Sequence, residues 1–124
     1  MKISTNIALA LAFLTSSIST IASAETPSVT VQLANDQSGT NANVNIRADG
    51  VQHSVESLWG HTSVARNGVV YASSAQLTAF QQDTVCRISG PGVDVTLTAI
   101  HTWSWLQGGK VVNLHEAHIV CKDT

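Results

Sequence analysis

His101, Glu116 and His118 are the residues best suited to chemistry, provided the chain brings them together. From Val93 to Trp105 the sequence alternates. Val93, Val95, Leu97, Ala99, His101, Trp103 and Trp105 point one way, while Asp94, Thr96, Thr98, Thr102 and Ser104 point the other, with Ile100 as the apolar exception. Period-two alternation is the mark of a half-buried strand. Gly108-Gly109 suits a tight turn, and Val111 to Cys121 then returns as the partner strand of one long hairpin. Gln107 then faces Lys110, which sets His101 opposite Glu116 and Ala99 opposite His118. Directly opposed Cβ atoms lie ~5 Å apart and diagonal ones ~7–8 Å. Two imidazoles and a carboxylate at that spacing make most of a first-row metal site, and His101 with Glu116 alone makes an acid–base pair. The same face carries Val95, Leu97, Trp103, Leu114 and Val120, so the competing expectation is a hydrogen-bonded polar pair inside the core. A one-residue slip would place these side chains on opposite faces.

Trp59, Trp103 and Trp105 are the second candidate set. Two tryptophans at i and i+2 share a strand face and could offer a flat apolar platform to a sugar or a partner protein; aromatic anchors are enriched in binding hot spots. Core packing competes here too, because Phe80 and Tyr71 are the only other aromatics beyond the leader. His53, His61 and His115 read as surface or satisfied residues. His115-Glu116-Ala117-His118 resembles a zinc motif only superficially, since histidines at i and i+3 of a strand face opposite ways. Cys86 and Cys121 lack Cys-x-x-Cys spacing, and in an exported chain they read as one disulfide.

The elements that must position these residues are strands. Val29 to Leu33 alternates, Asn35 to Asn43 reads as a polar loop, and Val44 to Ala48 alternates again. Asp49-Gly50 is a hairpin signal with Val51 to Val55 returning, and Leu58 to Ala65 reads as a further strand. Asn67-Gly68 marks another hairpin with Val69 to Ser73. Ser74 to Phe80 is extended or a brief turn, and Val85 to Ser89 leads through Gly90-Pro91-Gly92 into the long hairpin. Strands with turn signals every eight to twelve residues predict an all-β fold: a single-domain antiparallel β-sandwich or small barrel with one disulfide. Val93 to Leu106 would span ~46 Å if fully extended, against ~34 Å for the diameter of a 100-residue domain. The hairpin must therefore bend between sheets or project its tip.

Residues 1–24 read as a secretory signal peptide. A basic start and the apolar run Ile7 to Leu14 precede Ala22-Ser23-Ala24, with cleavage before Glu25. Residues 25–124 then form the single domain. That domain holds five basic residues against eight acidic ones, with neither sign clustered. A nucleic-acid partner calls for a basic stripe, and membrane insertion calls for ~20 apolar residues; neither is present. No nucleophile elbow, His-Glu-x-x-His or phosphate loop appears, so no cofactor is implied and the expectation is a non-enzyme.

Asp49-Gly50, Leu58-Trp59-Gly60, Ala72 to Leu77 and Cys86 together resemble the small secreted proteins of filamentous ascomycete fungi, many of them effector candidates. The resemblance implies a secreted protein acting outside the cell, and it transfers no catalytic residue. The leading expectation is a non-enzymatic protein that binds a host or cell-wall protein or glycan. The alternative is a small extracellular hydrolase or metal-dependent enzyme using His101, Glu116 and His118.

Overall fold

A computed structural model describes residues 27–124. The expected signal peptide lies outside the described residues. The described chain is antiparallel β-structure with one short helix, in accord with the all-β expectation. Three sheets share the eleven strands. Strands β2 (Thr40–Arg47), β1 (Ser28–Asn35), β6 (Ser74–Ala79) and β9 (Trp103–Trp105) form the first, in that order. Strands β3 (Asp49–Ser54), β11 (His118–Asp123), β7 (Thr84–Gly90) and β8 (Val93–Thr98) form the second. A small third sheet holds β10 (Val112–Asn113), β5 (Val69–Ala72) and β4 (Ala65–Arg66).

The two larger sheets lie against one another in a sandwich-like arrangement, with β6 against β8 and β2 against β11. Alternation explains the core. Val29, Val31 and Leu33 of β1 and Ala75 and Leu77 of β6 point inward. Cys86, Ile88, Val93, Val95, Leu97, Ile119 and Cys121 meet them from the second sheet. The sulfurs of Cys86 and Cys121 are joined, as expected. The two residues are direct partners on β7 and β11, with Cα atoms 4.1 Å apart, close to the narrow spacing of an antiparallel pair.

Several turns form where their residues predict. Asn35 Oδ1 accepts the N–H groups of Gln37 and Ser38, and Gly39 closes the β1–β2 hairpin at a φ of 75°. That hairpin is tighter than a loop over Asn35 to Asn43, because Asn41 and Asn43 already belong to β2. Asn67 and Gly68, at φ 54° and 81°, join β4 to β5 as an Asn-Gly two-residue turn should.

The long hairpin from Val93 to Cys121 does not form. Gly108 and Gly109 do make a tight turn, with the Lys110 N–H donating to the Gln107 carbonyl. Its two arms, however, join different partners: β9 pairs with β6, and β10 with β5. A stretch too long for the domain must bend, and a bend lies at Thr98–His101, where the two residues exchange backbone hydrogen bonds before the chain crosses to the first sheet. Asp49-Gly50 is likewise no hairpin turn. Positive φ at Gly50 serves a bulge, where Gly50 and Val51 together oppose Cys121 between the pairs Lys122–Asp49 and Val120–Gln52.

Leu58 to Ala65 is not a strand either. Helix α1 (Val55–Trp59) occupies its start, with the Ser54 side chain capping the Ser57 N–H and Glu56 in the first turn. Val55 and Trp59, four apart, are both fully buried. Trp59 Nε1 donates to the Ala42 carbonyl (3.1 Å) and Ser63 Oγ to the Asn41 carbonyl (2.8 Å). The helix and the turn after it thus cover part of β2, an otherwise open sheet edge.

Candidate functional site

The two outer sheet faces differ in chemistry. The second sheet's outer face carries Arg87, Asp94 and Lys122. Arg87 and Asp94 form a two-bond ion pair, Nε to Oδ1 at 2.9 Å and Nη2 to Oδ2 at 3.1 Å. Hydrogen bonding to Arg87, and then its charge, hold the Asp94 carboxyl below the usual carboxylate range. By contrast, the four strands of the first sheet carry one charged side chain, Arg47 at the end of β2.

Register shows what the first sheet presents outward. Ala75 pairs with Leu33 and with Ser104, and Ala75 and Leu33 belong to the core, so the flanking residues face away from it. One outward row crosses the sheet as Asn43, Gln32, Gln76, Trp103; the next runs Asn41, Ala34, Ser74, Trp105. With strands ~4.8 Å apart, each row is ~14 Å long. The side-chain amides of Asn41, Asn43, Gln32 and Gln76 make no hydrogen bond to any described residue, whereas Thr30 and Asn45 bond each other at 2.6 Å. These amides have both donor and acceptor capacity to offer.

Trp103 and Trp105 close the rows on the edge strand and remain 44 % and 41 % exposed. Their ring centroids lie 4.9 Å apart with planes at 71°, an edge-to-face pair rather than the flat platform that i, i+2 spacing suggests. Core packing is therefore not their role. The Gly108–Gly109 turn backs onto Trp105, since a Cβ on Gly109 would stand 3.9 Å from two of its ring atoms. Trp59, grouped with them on residue type alone, is fully buried, so it is a core residue and is removed from the binding set.

The histidine cluster does not assemble. His101 is exposed at the Thr98–His101 turn, Glu116 is exposed in the turn before β11, and His118 stands on β11 between Ser54 of β3 and Ser89 of β7. No strand pairing connects His101 with Glu116, because β9 leaves for the other sheet. Among the described residues no group of three His, Cys, Asp or Glu side chains is placed to hold a metal ion. A different pair does form: His115 Nδ1 lies 2.7 Å from Glu56 Oε2, a mostly covered carboxylate on α1. His115, Glu116, Asn113 and Pro91 line a hollow of about 220 Å³ beside it. Sequence reasoning missed this pair because it needs α1, whose signals were Ser54 as a cap and the Val55–Trp59 spacing.

Comparison with protein-family models, with curated proteins and with solved structures found no match for this chain.

Proposed function

We propose that this protein is a non-enzymatic, secreted binding module that engages a glycan across the outer face of its first sheet. The observation that carries this reading is the pairing of two exposed tryptophans with rows of uncharged, unengaged amides on one sheet face. Sugars offer apolar C–H faces beside hydroxyl groups that both donate and accept. Indoles match the first, and the Asn and Gln side chains match the second. A protein partner would more commonly be met by arginine and complementary charge, which this face lacks apart from Arg47. A host or cell-wall polysaccharide fits the resemblance to small secreted fungal proteins, and the disulfide suits an oxidising compartment.

A glycan array followed by titration calorimetry tests the reading. The wild type should retain an oligosaccharide without turning it over. Trp105→Ala should weaken that binding by about tenfold or more while leaving the melting temperature nearly unchanged. Retention of no glycan, or equal binding by the Trp103→Ala/Trp105→Ala double variant, overturns it.

The second reading, a small extracellular hydrolase, rests on His115 and Glu56 rather than on the cluster first considered. A carboxylate 2.7 Å from one imidazole nitrogen orients the ring as a general base beside the neighbouring hollow. Hydrolysis of an arrayed glycan, lost in His115→Ala, would favour it over simple binding.

A further inference from the structure

A separate hollow shares no lining residue with the tryptophan face. At the Asn35–Thr40 end of the first sheet a cleft of about 410 Å³ is lined by Asn35, Gln37, Ser38, Arg66, Tyr71 and Val111. That volume falls within the ~300–1,000 Å³ typical of small-molecule sites. A smaller hollow continues from it past Thr40 and Ser63.

The cleft is held in shape from beneath. Asn35, 9 % exposed, accepts the Gln37 and Ser38 N–H groups at 3.0 and 3.1 Å and donates from Nδ2 to the Tyr71 carbonyl at 3.3 Å. The β1–β2 turn is thereby fastened to β5. From the other side the Asn67-Gly68 turn delivers Arg66. Because Arg66 pairs with Val69, two residues before Tyr71, Arg66 and Tyr71 share one face of that hairpin. Both flanks are preorganised, which lowers the entropic cost of binding.

The groups this frame presents have no other task. The Arg66 guanidinium, the Tyr71 hydroxyl and the Gln37 amide make no hydrogen bond to any described residue. No acidic residue lines either hollow, and no described carboxylate lies within ion-pair distance of Arg66. A guanidinium is a planar fork of donors that grips a carboxylate through two parallel bonds. A phenol and an amide beside it suit hydroxyl groups, and Val111 gives one apolar wall.

We propose that this cleft binds a carboxylate-bearing ligand of monosaccharide size, a uronate-type sugar, with Arg66 on the carboxylate and Tyr71 and Gln37 on the ring hydroxyls. The ligand is either a free acid or one residue of a longer acidic chain.

Titration of the disulfide-intact protein with galacturonate, followed by amide ¹H–¹⁵N spectra, tests this. Saturable shifts should centre on residues 35–38, 66–68 and 71, with galactose binding at least about tenfold more weakly. Arg66→Gln should lose about tenfold or more, and Arg66→Lys should recover only part, because the charge returns without the fork. Arg66 is exposed, so both variants should keep the wild-type melting temperature. Trigalacturonate distinguishes the source: tighter binding than galacturonate indicates a chain, and unchanged affinity indicates a single acid. Either result keeps the carboxylate site. Absence of shifts at the cleft, equal affinity for inorganic sulfate, or unaltered binding by Arg66→Gln overturns it.

Discussion

Reducing the Cys86–Cys121 bond should melt this domain at much lower temperature. The bond joins directly opposed residues of β7 and β11, separated by 35 positions in the chain. Between them the chain makes a long excursion: through β8, across to β9 on the first sheet, through β10 on the small sheet, and back. Closing a loop of that length removes denatured-state entropy worth about 4 kcal/mol in the chain-entropy model. For a domain of about 100 residues each kcal/mol moves the midpoint by roughly 4–8 °C, so the expected fall is about 15–30 °C. Differential scanning calorimetry with and without a phosphine reductant, beside the Cys86→Ala/Cys121→Ala variant, measures it. Both sulfurs are fully buried, so reduction of the native protein should proceed only as fast as the fold opens. A reduced protein that melts within a few degrees of the oxidised one would refute the reasoning, because the excursion would then be held by sheet pairing alone.

Other outcomes follow from particular contacts. Trp59→Phe should cost about 2 kcal/mol, from a lost indole hydrogen bond to Ala42 and a partly emptied site, and chemical denaturation reads the change. Fluorescence should show the complementary pattern: Trp103→Phe/Trp105→Phe leaves only blue-shifted emission, from buried Trp59. Gly90→Ala should destabilise by about 1–3 kcal/mol, since its Cβ would stand 2.9 Å from the Ala117 Cα; a neutral result in urea melts would mean the segment before β11 yields there. Asp94 is held below its ordinary range by Arg87, so its contribution is present above the unfolded carboxyl value and lost as pH falls through the folded one. Being solvent-exposed, the pair contributes little. Asp94→Asn should lower the melting temperature slightly at neutral pH, and the gap should close in acid.

The fold class, the disulfide and most turns were legible because each is written locally. Alternation marks a strand wherever the strand docks, and Asn67-Gly68 turns because those residues accept positive φ. Partner choice was not legible. Gly108-Gly109 supplied the turn, but a turn sets register only for arms that stay together, and here the small sheet and the first sheet each took one. Asp49-Gly50 shows the same ambiguity, since positive φ serves a bulge as well as a hairpin. Helix α1 was hidden by its length. A single turn with two anchors, Val55 and Trp59, shows no sustained period, and packing rather than propensity stabilises it.

The candidate site divides along the same line. Residue types and spacing alone singled out Trp103 and Trp105, placed them on a common face, and paired Cys86 with Cys121. Tertiary structure decided that those indoles stand in solvent while Trp59 is enclosed, that His101, Glu116 and His118 part company, and that Arg66 and Tyr71 share a cleft with Gln37. A strand's two faces follow from backbone geometry and are written in its own residues. Which face meets the core, and which neighbour lies alongside, depends on where every other strand buries its apolar side, a property of the whole chain.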